Sequence, residues 1–312
     1  MSRQPLFDRL AIIGIGLIGS SVARAARERG LVRQIAIADA SEQHRQDAAR
    51  LQLGDEVHAD AAEAARDADL IMFCVPLGAN AAVAAHVAPA LKPGAIVSDV
   101  GSCKQAVIRD IAPHLPAGVH LVPGHPVAGT EHSGPKAGFA SLFENRWCIL
   151  TPPPGADARA VEAVKAFWAA CGSKVEVMEP RHHDLVLAIT SHVPHLIAYN
   201  IVGTADDLET VTEGEVIKYS AGGFRDFTRI AASDPTMWRD VFLNNKEAVL
   251  EMLGRFTEDL IALQRAIRWG EGDTLFNLFT RTRAIRRAII DAGQETAAPD
   301  FGRSPAAGKS EG

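Results

Sequence analysis

The sequence predicts an α/β domain built on a parallel sheet, followed by an all-α domain. Short apolar runs without polar alternation recur in the first half of the chain, as in parallel strands buried on both faces. Stretches with helical spacing separate these runs, and strand-like runs stop near residue 178. We therefore predict a first domain at 1–178 and a helical domain at 179–292. Residues 293–312 lack apolar anchors and are predicted to form a disordered tail.

The composition is that of an ordinary globular protein, with 312 residues of which 47% are hydrophobic and 22% charged. A formal net charge of −6 argues against broad nucleic-acid binding. No signal peptide and no uninterrupted apolar run of membrane-span length is apparent, so we expect a cytoplasmic protein without membrane contact. The four cysteines are far apart and form no CxxC, which indicates reduced thiols; they are Cys74, Cys103, Cys148 and Cys171.

The elements of the first domain follow one another in strand–helix order. Predicted strands lie at 9–15, 34–38, 70–74, 95–99, 120–123, 147–150 and 174–177, and predicted helices begin near Ser20 and lie at 78–90, 105–115 and 157–170. The carboxyl ends of parallel strands meet at one edge of the sheet, which is where such folds bind ligands.

A glycine-rich turn, Gly14-Ile-Gly16-Leu17-Ile18-Gly19, joins the first strand to the first helix. Gly14 permits a tight turn, Gly16 lets the backbone approach a pyrophosphate, and Gly19 allows the helix to pack closely on the strand. The helix N-terminus favours the negative charge of that pyrophosphate. With a strand before it and a helix after it, this motif predicts a Rossmann-type dinucleotide site that includes Leu17 and Ile18.

An acidic residue ends the second strand about 20 residues beyond the glycines, as expected for a dinucleotide site. Asp39 is placed to accept hydrogen bonds from a ribose 2′-hydroxyl and to repel a 2′-phosphate, which favours NAD over NADP. The alternative is a helix N-cap, since Ser41 and Glu42 follow. Val75, Pro76 and Ser102 follow later strands, so we expect them at the same rim of the cofactor site.

A histidine lies between glycine and proline in the stretch Gly124-His125-Pro126. We expect a rigid turn at the end of the preceding strand, because glycine accepts unusual backbone angles and proline fixes its own. His125 and Ser102 would then share the ligand crevice, where neutral imidazole can accept a hydroxyl proton. The alternative is a loop histidine packed for its shape.

The helical domain offers two further polar clusters. Thr190 to His195 begins a helix, and His192 and His195 share one helix face; this spacing could ligate a metal, but no acid completes the set, so polar contacts to a substrate are favoured. Arg225, Asp226 and Arg229 follow a Gly-Gly turn and could form a carboxylate receptor. The alternative for these three residues is a structural ion pair on a surface helix.

Apolar residues at helical spacing continue towards the end of the chain. We predict one long helix with a stripe that runs from Phe242 to Leu263, and a further helix at 275–290. Such stripes form core or a subunit interface.

Five linked motifs resemble the prephenate and arogenate dehydrogenases of tyrosine biosynthesis. They are Gly14 to Ser21, Asp99 to Lys104, Gly124 to Glu131, Ser191 to His195, and Gly223 to Arg229 with Trp238. The resemblance covers about residues 8–290 in order, and one conservative departure is Val127, where Met or Ile is more usual. It implies NAD-dependent oxidative decarboxylation, in which hydride leaves C4 of a cyclohexadienol and the ring loses CO2 and becomes aromatic. It also implies a homodimer formed through the helical domain. No bound metal is expected, because no acid completes the set at His192 and His195.

Residue roles are implied by the same resemblance. His125 would bond the C4 hydroxyl and polarise it, and Ser102 would bond the same hydroxyl and help to place the nicotinamide. Arg229 would pair with a substrate carboxylate. The remaining predicted contacts are His195 and Ser191 on the substrate, and Thr130, Glu131 and Asp226 at the entrance, where the two acids would either position Arg229 or gate the site.

Two alternatives stay open at this point. A dehydrogenase for 3-hydroxy acids would share the glycine motif but lack the linked His-Pro and Arg-Asp-x-x-Arg segments. A non-catalytic regulator would bind NAD without turning over a substrate.

Overall fold

The computed structural model describes residues 4–130, 132–209 and 219–291. The strands are β1 (Phe7–Ile13), β2 (Val32–Ala38), β3 (Glu56–His58), β4 (Leu70–Phe73), β5 (Ile96–Asp99), β6 (His120–Leu121), β7 (Gly124–Pro126), β8 (Trp147–Leu150) and β9 (Lys174–Val177). The α-helices are α1 (Leu17–Glu28), α2 (Glu42–Arg50), α3 (Ala61–Ala65), α4 (Asn80–Val87), α5 (Lys104–Ile111), α6 (Ala158–Ala170), α7 (Pro180–Leu187), α8 (Val193–Glu209), α9 (Gly222–Thr228), α10 (Pro235–Asn244), α11 (Lys246–Trp269) and α12 (Gly272–Ile289). The predicted disordered tail at 293–312 lies outside the described residues.

Six parallel strands form the main sheet, in the order β3-β2-β1-β4-β5-β6. The strand order reverses between β1 and β4, and the crevice beyond the carboxyl ends of strands at such a point is where doubly wound sheets bind ligands. This arrangement confirms the predicted Rossmann-type α/β fold followed by helices. It places the turns after β1, β4 and β5 at one edge of the sheet.

The core lies on both faces of this sheet. Alternate residues of the strands belong to two separate apolar clusters: Leu10 and Ile12 of β1 are in one, and Ala11 and Ile13 are in the other. Because successive side chains of a strand point to opposite faces, each cluster fills one face. Burial of both faces is the reason that the strands read as unbroken apolar runs.

A second sheet contains three strands, with β7 antiparallel to β8 and β8 parallel to β9. The predicted turn at His125 is therefore wrong: His125 is the central residue of β7, in register with Ile149. Gly124 has no left-handed φ, and its lack of a side chain provides space instead. A Cβ there would lie 3.2 Å from the Asp99 carbonyl oxygen and 3.4 Å from Trp168 Nε1.

A π-helical turn, Ala188–His192, separates α7 from α8. Proline has no N–H to donate to the carbonyl four residues earlier, and its ring crowds that carbonyl. Pro194 is the second residue of α8, so regular α-helix cannot continue through Thr190. A wider turn accommodates this conflict, and π turns of this kind often occur at functional sites.

The predicted long helix from Phe242 to Leu263 is wrong, because Asn245 breaks it. Phe242 belongs to α10, and the remaining apolar positions belong to α11. Asn245 has a φ of −110° and a ψ of 32°, and its buried side chain bonds to other elements. The need to satisfy that buried amide explains the interruption.

The chain divides into two compact units, Met1–Met252 and Leu253–Gly312. All predicted site residues lie in the first unit. In the second, α12 carries large apolar side chains that are exposed, among them Phe276, Phe279 and Ile285. The predicted domain boundary between 178 and 179 stays a prediction.

One helical run, Pro180–Leu208, is long and apolar enough to cross a membrane by length and composition alone. It has 29 residues, its most apolar 18-residue window has a mean hydropathy of 1.5, and it was not predicted from the sequence. Core helices of water-soluble proteins pass the same test, so this is weak evidence for a membrane span. The run carries the buried polar residues His183, Asp184 and His192, which belong to the site described next.

Candidate active site

The glycine turn has the geometry that its sequence predicts. Gly14 has a φ of +95°, and a Cβ there would lie 2.5 Å from the Cys74 carbonyl oxygen. A Cβ at Gly19 would overlap the Gly14 carbonyl oxygen, so both positions require glycine. Gly16 has no neighbouring atom within 4 Å of its Cβ position and lies at the N-terminus of α1, where Leu17 and Ile18 are half-buried. This open space beside free N–H groups suits a pyrophosphate.

Asp39 connects the end of β2 to the glycine turn. Its carboxylate accepts hydrogen bonds from the Ile15 N–H at 2.8 Å and from the Ser41 N–H at 2.8 Å. The alternative prediction, that Asp39 caps α2, is wrong, because Ser41 is the N-cap and its hydroxyl accepts from the His44 N–H. Asp39 therefore lies beside the turn, as a residue that binds a ribose must.

Val75 and Pro76 follow β4 and lie at the same edge. The Val75 side chain is 3.2 Å from the Cβ position of Gly14, and Pro76 is exposed. Their predicted contacts with the cofactor stay predictions.

A buried ion pair that the sequence analysis did not identify supports the turn after β5. Lys104 Nζ bonds both carboxylate oxygens of Asp99, at 2.9 and 2.7 Å, and also the Gly124 carbonyl oxygen at 2.6 Å. Asp99 further accepts from the N–H groups of Gly101 and Gly124. A buried pair is retained only where such additional bonds satisfy both charges. It joins the turn that carries Ser102, which is half-buried, to the strand that carries His125.

His125 is buried in β7 and contacts a second histidine. Its Nδ1 lies 2.9 Å from Nε2 of His183, and Nδ1 of His183 lies 2.9 Å from a carboxylate oxygen of Asp184. Burial, followed by the charges of His183 and Lys104, lowers the pKa of His125 well below its ordinary value. His125 is therefore neutral at neutral pH.

The helical residues predicted to contact a substrate are close to one another. Nδ1 of His195 donates to the Ser191 carbonyl oxygen at 2.8 Å, and its ring stacks on Trp238 with centroids 3.7 Å apart. Burial lowers the pKa of His195, and the nearby charge of Arg229 lowers it further. Arg229 itself is half-buried at the end of α9.

His192 interacts electrostatically with both His195 and His125. Burial lowers the pKa of His192 to about 4, and the charges of His183 and His195 contribute. His192 in turn contributes to the lowered pKa of His125. Nδ1 of His192 accepts from Asn245 Nδ2 at 3.0 Å, while its Nε2 is buried without a hydrogen-bond partner in the described part of the chain.

The structure describes two of the three predicted entrance residues. The Thr130 hydroxyl accepts from the His132 N–H at 3.2 Å, and Asp226 is exposed on α9. Glu131 lies outside the described residues. Within 4–130, 132–209 and 219–291, no group of three His, Cys, Asp or Glu side chains is arranged to hold a metal.

The fold and this site define a dinucleotide-binding oxidoreductase of the α/β class, with the buried imidazole of His125 close to the carboxyl end of β5. The family "Prephenate dehydrogenase, nucleotide-binding domain" matches residues 22–177, and "Prephenate dehydrogenase, dimerization domain" matches residues 179–281. The chain belongs to the prephenate dehydrogenase family.

Individual relatives agree with this assignment. A cyclohexadienyl dehydrogenase of Zymomonas mobilis is 44% identical, over 91% of this chain and 97% of its own length. The crystal structure of prephenate dehydrogenase from Aquifex aeolicus, in complex with hydroxyphenyl propionate and NAD+, has 33% identity and a TM-score of 0.84, covering 90% of this chain and 98% of that one. Arogenate dehydrogenase from Synechocystis has 25% identity and a TM-score of 0.76, covering 90% and 99%.

Proposed function

We propose that this protein catalyses the NAD-dependent oxidative decarboxylation of prephenate to 4-hydroxyphenylpyruvate, of arogenate to tyrosine, or of both. The relatives that it matches along nearly their whole length carry these activities in their names. The observation that carries the proposal is the buried, neutral imidazole of His125, whose neighbour Gly124 bonds to Asp99 at the carboxyl end of β5.

The residues around the glycine turn fit NAD. The open position at Gly16 leaves room for the pyrophosphate at the N-terminus of α1, and Asp39 supplies acceptors for the ribose hydroxyls. The negative charge of Asp39 would repel a 2′-phosphate, which favours NAD over NADP. When bound, NAD+ accepts the hydride that leaves the substrate. Leu17, Ile18, Val75, Pro76 and Ser102 are the remaining proposed contacts.

His125 handles the proton of the substrate hydroxyl. Its neutral ring accepts the hydrogen bond of the C4 hydroxyl and draws on that proton as hydride leaves C4. The electrons of the bond between C1 and the carboxylate then complete the aromatic ring as CO2 departs. The product is a phenol that carries the hydroxyl proton, so no net proton is released. Ser102 would bond the same oxygen and keep the hydroxyl aligned.

Arg229 would bind a carboxylate of the substrate from the helical side. The guanidinium pairs with carboxylate through two parallel bonds, and the neutral Nε2 of His195 adds an acceptor for a substrate hydroxyl or amine. Ser191 would contribute from the π turn. We place Thr130, Glu131 and Asp226 at the entrance of the site. There the two acids would either position Arg229 or gate the site.

We further infer a homodimer formed through the helical domain, 179–292, with NAD bound by 1–178. Exposed Ile201, Val202 and Leu208 on α8, and Phe276 and Phe279 on α12, are apolar surfaces of the kind that subunits cover. The matched family is described as a dimerization domain. A cytoplasmic location is proposed because the four cysteines are free and three of them are buried.

An absorbance assay of NADH formation tests the function, with prephenate or arogenate as substrate and NAD+ or NADP+ as cofactor. We expect turnover with at least one substrate and a preference for NAD+. His125→Asn should reduce kcat by roughly 10²- to 10⁴-fold and leave NAD+ affinity unchanged. His182→Asn is the control at another histidine, because His182 is exposed at the start of α7. NAD+ binding without turnover of either substrate would instead indicate a regulator or a dehydrogenase for another acid.

A further inference from the structure

We propose that His183 and Asp184 are positioning residues that hold His125 in one tautomer, with the lone pair of Nε2 directed at the substrate and the proton on Nδ1. The three side chains form an unbroken line, with separations of 2.9 Å from His125 to His183 and 2.9 Å from His183 to Asp184. His183 is 0% exposed and Asp184 is 1% exposed. This inference rests on the proposed role of His125 as the group that handles the hydroxyl proton.

The direction of each hydrogen bond follows from the acid at the end of the line. Burial alone would raise the pKa of Asp184, but the bonds from His183 and from two backbone N–H groups hold it below its ordinary value. An ionised carboxylate only accepts, so Nδ1 of His183 donates and its Nε2 carries a lone pair. Nδ1 of His125 must then donate to that lone pair. Nε2 of His125 is left as the only acceptor on its ring.

Asp184 is itself held from several sides. One oxygen accepts from the backbone N–H of Lys104 at 2.7 Å, and the other from that of Gln105 at 2.9 Å. These N–H groups open α5, and an acid at a helix N-terminus is favourably placed. Asn245 Nδ2 donates to the Asp184 carbonyl oxygen at 2.8 Å. The carboxylate therefore has little freedom to turn away from His183.

The line also balances charge during the reaction. As Nε2 of His125 draws on the hydroxyl proton, positive charge develops on its ring and is stabilised through His183 by the negative Asp184. Other ionisable groups face the two rings: Lys104, Asp99 and His192 contribute to the pKa of His125 or His183, and the backbone N–H of His125 donates to the Cys148 thiol. Lys104 is paired with Asp99, which leaves Asp184 as the anion that is aligned with the imidazoles.

Matched variants separate positioning from packing. His183→Leu removes the acceptor, and we expect kcat to fall on the order of 10²-fold, with the KM for substrate and NAD+ affinity within about threefold. His183→Gln keeps an acceptor oxygen, and we expect it to restore kcat to within about tenfold of the native value. His182→Leu is the control at the exposed adjacent position and should behave as the native protein.

The tautomer itself can be observed by long-range ¹H–¹⁵N correlation spectra of the native protein labelled with ¹⁵N in its imidazoles. The His125 signals are identified by their loss in His125→Asn. We expect a protonated Nδ1 and an unprotonated Nε2 near neutral pH. A spectrum with the proton on Nε2, or native kcat in a folded His183→Leu, would overturn the proposal. This spectrum needs neither turnover nor a folded His183 variant, so a failure of the proposed function would be seen separately in the absorbance assay.

Discussion

Because His192 is buried, we expect the free energy of unfolding to decrease in acid. Its pKa falls from an ordinary value of 6.5 to about 4 because the ring is buried, so the folded chain resists protonation that the unfolded chain accepts. A lowered pKa means that the contribution of His192 to stability is complete above pH 6.5 and is lost as pH falls towards 4. At about 1.4 kcal/mol for each pKa unit, the full loss is on the order of 3 kcal/mol.

His192→Asn is the matched perturbation, because the Asn oxygen can replace Nδ1 as acceptor for Asn245 but does not titrate. Urea unfolding, followed by tryptophan fluorescence near pH 7.5 and near pH 5, gives the free energy of unfolding for both proteins. Between these pH values the native protein should lose ~2 kcal/mol more than the variant. Buried His125 and His183 titrate in both proteins and largely cancel in the difference. Equal losses would show that His192 is accessible to protons in the folded state and would refute the argument.

Three further predictions concern activity. Because the working form of His125 is neutral and its pKa is well below 6.5, kcat should be level from pH 8 to below pH 6.5 and fall only in more acidic buffer; a half-maximal point at 6.5 or above would contradict this. Arg229→Ala should raise the KM for prephenate or arogenate roughly 10- to 100-fold with NAD+ affinity unchanged, since a charged hydrogen bond contributes about 1.5–3 kcal/mol; an unchanged KM would return Arg229 to a purely structural role. Asp39→Asn should raise the ratio of kcat/KM for NADP+ over NAD+ by about tenfold or more, and an unchanged ratio would mean that Asp39 does not face the 2′-position.

The parts of the molecule with local sequence signals could be predicted. The glycine turn follows from its glycines, of which Gly14 and Gly19 leave no space for a side chain, and the strands of the main sheet follow from apolar runs buried on both faces. For Asp39, the sequence predicted the position but not the hydrogen-bond partner. Its position beyond β2 is a local property, but its bond to Ile15 depends on how two turns meet.

The neighbours of His125 could not be predicted in the same way. His183 is 58 residues away in sequence, and it lies in the polar stretch Arg181 to Asp184, which has the composition of an exposed helix start. One signal was available: His183 and Asp184 precede the buried Leu187 by four and three residues and so share its helix face. Polar residues that share a helix face with buried apolar residues indicate buried polar side chains, and these often belong to a functional site.

The strand β7 escaped prediction for a different reason. Its three residues are a glycine, a histidine and a proline, which locally favour a turn. Only the pairing with β8, more than 20 residues later, makes them a strand. Pairing of this kind depends on tertiary contacts and leaves no periodicity in so short a segment.

The membership of His125 in β7 has a consequence for how the active site opens. Both neighbours of His125 are in register with β8, at Leu150 and Cys148, so this backbone cannot swing aside without breaking the small sheet. We therefore expect substrate to enter and product to leave on the side of the proposed site away from β7, where Arg229 lies. We expect the hydroxyl end of the substrate ring to face the fixed strand β7 and its carboxylate end to face the helices near Arg229. Substitutions in those helices should therefore change the rate of product release.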